Sequence, residues 1–195
     1  MLVSVVVNMT STKGTSMRNV VLYQLLSLDG VAEEPGDWLS DGGPEVFANL
    51  GRTIESQDDV LLGRGTYDYW AGYWPSSDVE PFASFINGVR KHVVTSGELA
   101  DEWANSTVVT APIAEYVDEL KSRPGRDIGI HGSIRLARSM LNARLVDELR
   151  LVVAPVLAGH GERLFPDDDV LDRLELVDSE RSPKGTLFLH YRRLA

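Results

Sequence analysis

No cysteine occurs among the 195 residues, which excludes disulfide bonds, thiolate nucleophiles and sulfur-ligated metals. No uninterrupted apolar run approaches the roughly 20 residues that cross a bilayer. A soluble chain suited to a reducing cytoplasm is therefore expected. No long basic tract is present either: 19 Lys and Arg against 29 Asp and Glu leave a formal charge of −10, which repels nucleic-acid backbones and anionic membranes. Met1 to Asn8 is apolar but lacks a basic region, and Met9 to Ser16 offers no small-residue cleavage site, so a signal peptide is not expected. The four histidines show no metal-ligand spacing, and no metal is expected. The pairs and runs Asp58-Asp59 and Asp167-Asp168-Asp169 are expected to face solvent or to cap turns.

What is present is an ordinary globular composition, 43% hydrophobic and 25% charged. No repeat or low-complexity linker divides it. One domain is expected from Met17 to Ala195, with residues 1–16 as an N-terminal extension or, through Leu2 to Val7, an edge strand. Strand patterns cover Val20–Leu28, Val60–Leu62, Lys91–Thr95, Thr107–Val109, Asp127–His131 and Leu149–Val156. Helical periodicities follow Pro44, Gly65, Pro81, Ile113 and Ser133. Glu33 to Gly43 reads as a polar loop holding Trp38. Leu174–Ser179 and a last strand with Leu187, Leu189 and Tyr191 on one face form a hairpin-like pair around Pro183-Lys184-Gly185. Alternating strands and helices imply an α/β fold with a mixed, mostly parallel sheet flanked by helices and an antiparallel edge.

Three glycine-bearing junctions follow strands. In Leu62-Gly63-Arg64-Gly65-Thr66-Tyr67 the glycines permit close backbone approach, Thr66 can cap the helix, and free amides with Arg64 can receive a phosphate. A plain turn is the alternative. His131-Gly132-Ser133-Ile134 repeats the strand-to-helix form, with Ser133 as a cap, and Pro155 to Gly161 supplies Gly159 after a buried strand. His131 could meet a cofactor or be a satisfied strand-end histidine. None is a Rossmann fingerprint or a P-loop. Three junctions together suit a dinucleotide, which needs several contacts at the carboxyl edge of parallel strands. Asp29, Trp38, Glu45, Tyr67, Trp70 and Trp74 are candidates for a polar and aromatic cleft over the reacting ring. Asp29 could orient a substrate or deliver a proton, or simply form a turn. The staggered tryptophans could instead bury their helix.

Ser27-Leu28-Asp29-Gly30, Gly63-Arg64-Gly65-Thr66-Tyr67, Gly132-Ser133-Ile134-Arg135-Leu136, Leu145-Val146-Asp147-Glu148-Leu149, Pro155 to Gly161 and Leu164-Phe165 occur in an order that resembles the dihydrofolate-reductase-like superfamily. The likeness is to the branch of the riboflavin-biosynthesis reductase C-terminal domain, and it covers Met17 through Arg193. The resemblance implies NADPH across the carboxyl edge, with Arg64 and Thr66 near its phosphates, Thr95-Ser96 near the adenine ribose and the Gly132-Ser133 helix start at the pyrophosphate. Gly132-Ser133 stands where the family commonly has paired glycines. A homodimer is also implied, and the terminal strands offer edges that need cover. Three functions follow as expectations. The preferred one is an NADPH-dependent oxidoreductase acting on an unassigned small heterocycle or carbonyl, the second a riboflavin-pathway pyrimidine ribosylamine reductase, and the third a noncatalytic nucleotide-binding or scaffold protein.

Overall fold

A computed structural model describes residues 17–39, 43–99, 101–165 and 171–194. The extension at residues 1–16 and the acidic run Asp167 to Asp169 lie outside them. The described residues form strands β1 (Val20–Ser27), β2 (Gln57–Gly63), β3 (Arg90–Val94), β4 (Ser106–Val109), β5 (Asp127–His131), β6 (Glu148–Ala154), β7 (Leu174–Arg181) and β8 (Leu187–Arg193). The helices are α1 (Pro35–Trp38), α2 (Gly43–Ile54), α3 (Arg64–Tyr73), α4 (Phe82–Gly88), α5 (Ile113–Ser122) and α6 (Ile134–Asn142). The eight strands make one sheet in the order β4-β3-β2-β5-β1-β6-β8-β7. The first six run parallel, β8 pairs antiparallel to β6, and β7 pairs antiparallel to β8.

The central strands are apolar on both faces because helices cover both faces. Leu22, Leu61, Ile128 and Ile130 pack under Val117 and Leu120 of α5 and Ala137 and Met140 of α6. Val60, Leu62 and Val93 meet Ile54, Tyr67, Phe82 and Ile86 from α2, α3 and α4. This side-to-side alternation along β2 is the period of two that extended chain imposes.

The structure corrects two expectations of the fold. The loop from Glu33 to Gly43 contains a helical turn, α1, with Pro35 at its start, where a missing N–H is harmless. In β8 the most buried residue is Phe188, packed with Tyr23, Val46 and Val152, while Leu189 and Tyr191 pack partly against the opposite core. Leu189 and Tyr191 thus share a face, as expected, while Val46 of α2 packs on Phe188 from the other.

The second concerns Asp59, expected to face solvent or cap a turn, which is only 1% exposed. At the amino ends of β2 and β3 its carboxylate accepts hydrogen bonds from Arg18 Nη2, from Arg90 Nε at 2.6 Å and Nη2 at 2.8 Å, and from His92 Nε2 at 2.8 Å. His92 Nδ1 lies 2.8 Å from the Tyr116 hydroxyl on α5. Burial alone would raise the Asp59 carboxyl, but the bonds from Arg90, His92 and Arg18 hold it well below the carboxylate range. Nearby, buried Lys91 donates from Nζ to the carbonyls of Ile86 (2.8 Å) and Val89 (2.9 Å) and lies 4.5 Å from the centre of the Trp103 ring. It closes the carboxyl end of α4, and burial lowers its pKa to about 8.

A second buried polar contact crosses Gly129. His131 is neutral because burial pushes its pKa down to about 3, so Nε2–H donates to Gln57 Oε1 at 2.7 Å. A Cβ at Gly129 would collide with that carbonyl oxygen and stand 2.8 Å from the His131 nitrogen. Gly129→Ala is expected to cost about 1–3 kcal/mol, the range for leaving buried polar partners unsatisfied. Urea unfolding of the variant measures this, and an unchanged midpoint would show that the pair can shift aside.

Candidate functional site

Parallel strands end together, so β3, β2, β5, β1 and β6 deliver Thr95, Gly63, Gly132, Ser27 to Gly30 and Pro155 to Gly161 to one carboxyl edge. All three glycine junctions lie there. At the first, α3 starts directly after β2, and Gly63 at its N-cap has extended backbone and no side-chain cap. Thr66 does not cap this helix as expected, because the helix already begins at Arg64. Its hydroxyl instead lies 3.4 Å from the Gly132 carbonyl. Ser133 is the N-cap residue of α6 but does not cap it through its side chain. Its Oγ accepts the Gly63 N–H at 3.0 Å. The two helix starts are thereby stitched together, and neither has a side-chain cap on its first-turn amides, which is a favourable arrangement for an anion.

Glycine is required at Gly132 for two reasons. Its φ is +63°, and a Cβ there would approach Trp70 Cζ2 to 2.6 Å. At Gly65 a Cβ would meet nothing within 4 Å, so the α3 start opens onto free space. Arg64 stands beside this opening with Nε on both carboxylate oxygens of Asp68, at 2.7 and 2.6 Å, and Nη1 on the Glu98 carbonyl. It thus joins α3 to the turn after β3, in which the Gly97 N–H donates to Thr95 Oγ1 at 3.2 Å and Ser96 is exposed. Asp68 offsets part of its charge and fixes its direction. Ile134 is the first residue of α6 and packs against the core.

Asp29 lies further along the edge. Its carboxylate accepts the Ser27 hydroxyl at 2.6 Å and the amides of Ala158 and Gly159, both at 2.9 Å. The Ser27 bond and then the two amides lower its pKa to about 2. At neutral pH it is an ionised clamp on the loop after β6. Gly159, at φ +77°, gives its amide this direction. The Arg163 Nε donates to the Asp29 carbonyl at 3.0 Å, and the Glu162 amide to Glu33 Oε2 at 2.8 Å. Sequence reasoning missed Arg163 and Glu162, since their partners lie some 130 residues away and no local pattern records them.

Other candidates sit differently. The His131 side chain points onto Gln57 and is ringed by Tyr23, Phe82 and Phe85; only its backbone reaches the junction. Tyr67 is fully buried against Val60 and Leu62, and its hydroxyl donates to the Asp101 carbonyl at 2.9 Å and accepts the Trp103 amide at 3.0 Å. It lines no open cleft over the ligand edge, because the turn from β2 into α3 aims this position at the core. Trp70 and Trp74 are half-buried, 5.8 Å apart edge to face, and both pack on Phe82. Trp70 touches the edge beneath Gly132, while Trp74 lies a ring further into the helical layer. Trp38 donates its indole N–H to the Glu33 carbonyl at 2.9 Å, beyond β1.

A groove of about 730 Å³ lies at the beginnings of β3 and β4, lined by Arg90, His92, Trp103, Asn105 and Thr107. Tyr67 of the first junction also lines it, but none of the junction glycines does. Among the described residues no cluster of three or more His, Asp or Glu side chains could hold a metal ion. No described helix is long and apolar enough to cross a membrane.

Comparison with known proteins agrees with this geometry. The RibD C-terminal domain family matches residues 18–188. The Bacillus subtilis protein YyaP is 28% identical over 188 residues, covering 92% of this chain and 97% of that protein. A Shewanella sp. PV-4 protein ascribed to riboflavin biosynthesis superposes with TM-score 0.75 at 20% identity, over 91% of this chain and 99% of the other. A Thermotoga maritima diaminohydroxyphosphoribosylaminopyrimidine deaminase/5-amino-6-(5-phosphoribosylamino)uracil reductase gives TM-score 0.67 at 16% identity, over 91% of this chain but 57% of its own length. At such identities the structures establish a shared fold alone, and it is the family match that identifies this mixed sheet as the dihydrofolate-reductase-like architecture.

Proposed function

This chain belongs to the RibD C-terminal domain family, and from that premise we propose that residues 17–195 act as one NADPH-dependent reductase domain, working as a homodimer, whose acceptor is a pyrimidine ribosylamine. The wider expectation of an unassigned heterocycle or carbonyl gives way to this narrower one because a structural relative is named as a reductase of 5-amino-6-(5-phosphoribosylamino)uracil. The observation that carries the reading is the pair of uncapped helix starts at α3 and α6, stitched by the Gly63 to Ser133 hydrogen bond. Their amides, the open space at Gly65 and the Arg64 guanidinium fit a diphosphate with a further phosphate.

When bound, NADPH supplies the hydride. The chain's own residues position and shield. Arg64, Thr66 and the backbone from Gly132 to Ile134 hold the phosphates, with Thr95 and Ser96 beside the adenine ribose. Trp70 supports Gly132 from below. Asp29 keeps the β6 loop and Gly159 in register, as a positioning group rather than an acid. Trp38 borders the acceptor end, and Trp74 backs Trp70 from within the helical layer.

Calorimetric titration with NADPH and NADH tests the cofactor assignment. Tighter binding of NADPH is expected, and Arg64→Ala should weaken it about 10- to 100-fold, the equivalent of one charge-assisted hydrogen bond of roughly 1.5–3 kcal/mol. Equal affinity for the two dinucleotides would remove the case for NADPH. Oxidation of NADPH that depends on the phosphoribosylaminouracil separates a reductase from a nucleotide-binding scaffold.

A further inference from the structure

We draw no further inference here: the strongest candidate, the groove of about 730 Å³ at the beginnings of β3 and β4 beside buried His92, carries no proposal, because both ring nitrogens of His92 are spent on Asp59 and Tyr116 and nothing in the structure shows what covers the groove.

Discussion

Replacing Asp59 with asparagine is expected to cost about 3–5 kcal/mol of folding stability, the range for removing one partner from a buried charge cluster. Asp59 serves Arg18, Arg90 and His92 together, so its loss leaves buried Arg18 facing His92 without the carboxylate that paired them. The neighbouring Asp58 is 24% exposed and bonds to Arg18 from the rim. Asp58→Asn should cost clearly less. Urea unfolding at pH 7 measures both, and equal costs would show that the two carboxylates share the burden. The pH dependence follows from the depressed carboxyl. Its contribution is fully present above the unfolded value of about 3.9 and is lost as pH falls further toward the native value. The gap between the native protein and Asp59→Asn should therefore stay constant from pH 7 to about 5 and narrow below about 4.

The second large effect belongs to His131. In the unfolded chain a histidine takes up a proton near pH 6.5, whereas the folded protein resists until about 3 because the ring is buried. Between these values the unfolded state binds the extra proton, so stability falls as pH falls. The slope is about 1.4 kcal/mol per pH unit, or roughly 2 kcal/mol between pH 6.5 and 5. His131→Asn loses the bond to Gln57 and should be less stable at pH 7, yet its stability should decline more shallowly on acidification. Unfolding curves at pH 5, 6 and 7 test this. Parallel declines in the two proteins would mean that the ring is already charged or already solvated in the fold.

Much of the architecture was legible because local pattern and tertiary role coincide in the middle of the chain. Asp127 to His131 reads as a strand and is one, bounded by Arg126 and Gly132 as the pattern predicts. The glycine junctions were legible for a related reason: a strand followed by glycine and a helix is a local signature, and parallel strands necessarily bring such junctions to one edge. The details at the edge were not. Thr66 and Ser133 both look like caps, but each hydroxyl contacts the other junction's backbone, a choice that depends on β2 and β5 being neighbours. Tyr67 and His131 are close to the right glycines and still turn inward, because Trp103 receives the first and Phe82, Phe85 and Gln57 of β2 receive the second. Asp59 looks like a solvent-facing charge in sequence, and Lys91 like the plain start of a strand. Only the apposition of β2, β3, α4 and the chain near Arg18 gives them buried partners.

By itself, then, the sequence determined the alternating strands and helices, the mixed sheet, the glycine junctions and the family, since each is written in short-range periodicity or ordered motifs. The tertiary structure alone decided which polar groups became anchors. Asp29 became a clamp on the loop after β6 because Ala158 and Gly159 arrive from about 130 residues away, and Asp59 became the hub of a buried charge cluster. Hydrogen bonding and desolvation depend on what stands within a few ångströms in space, and spacing along the chain carries no record of that.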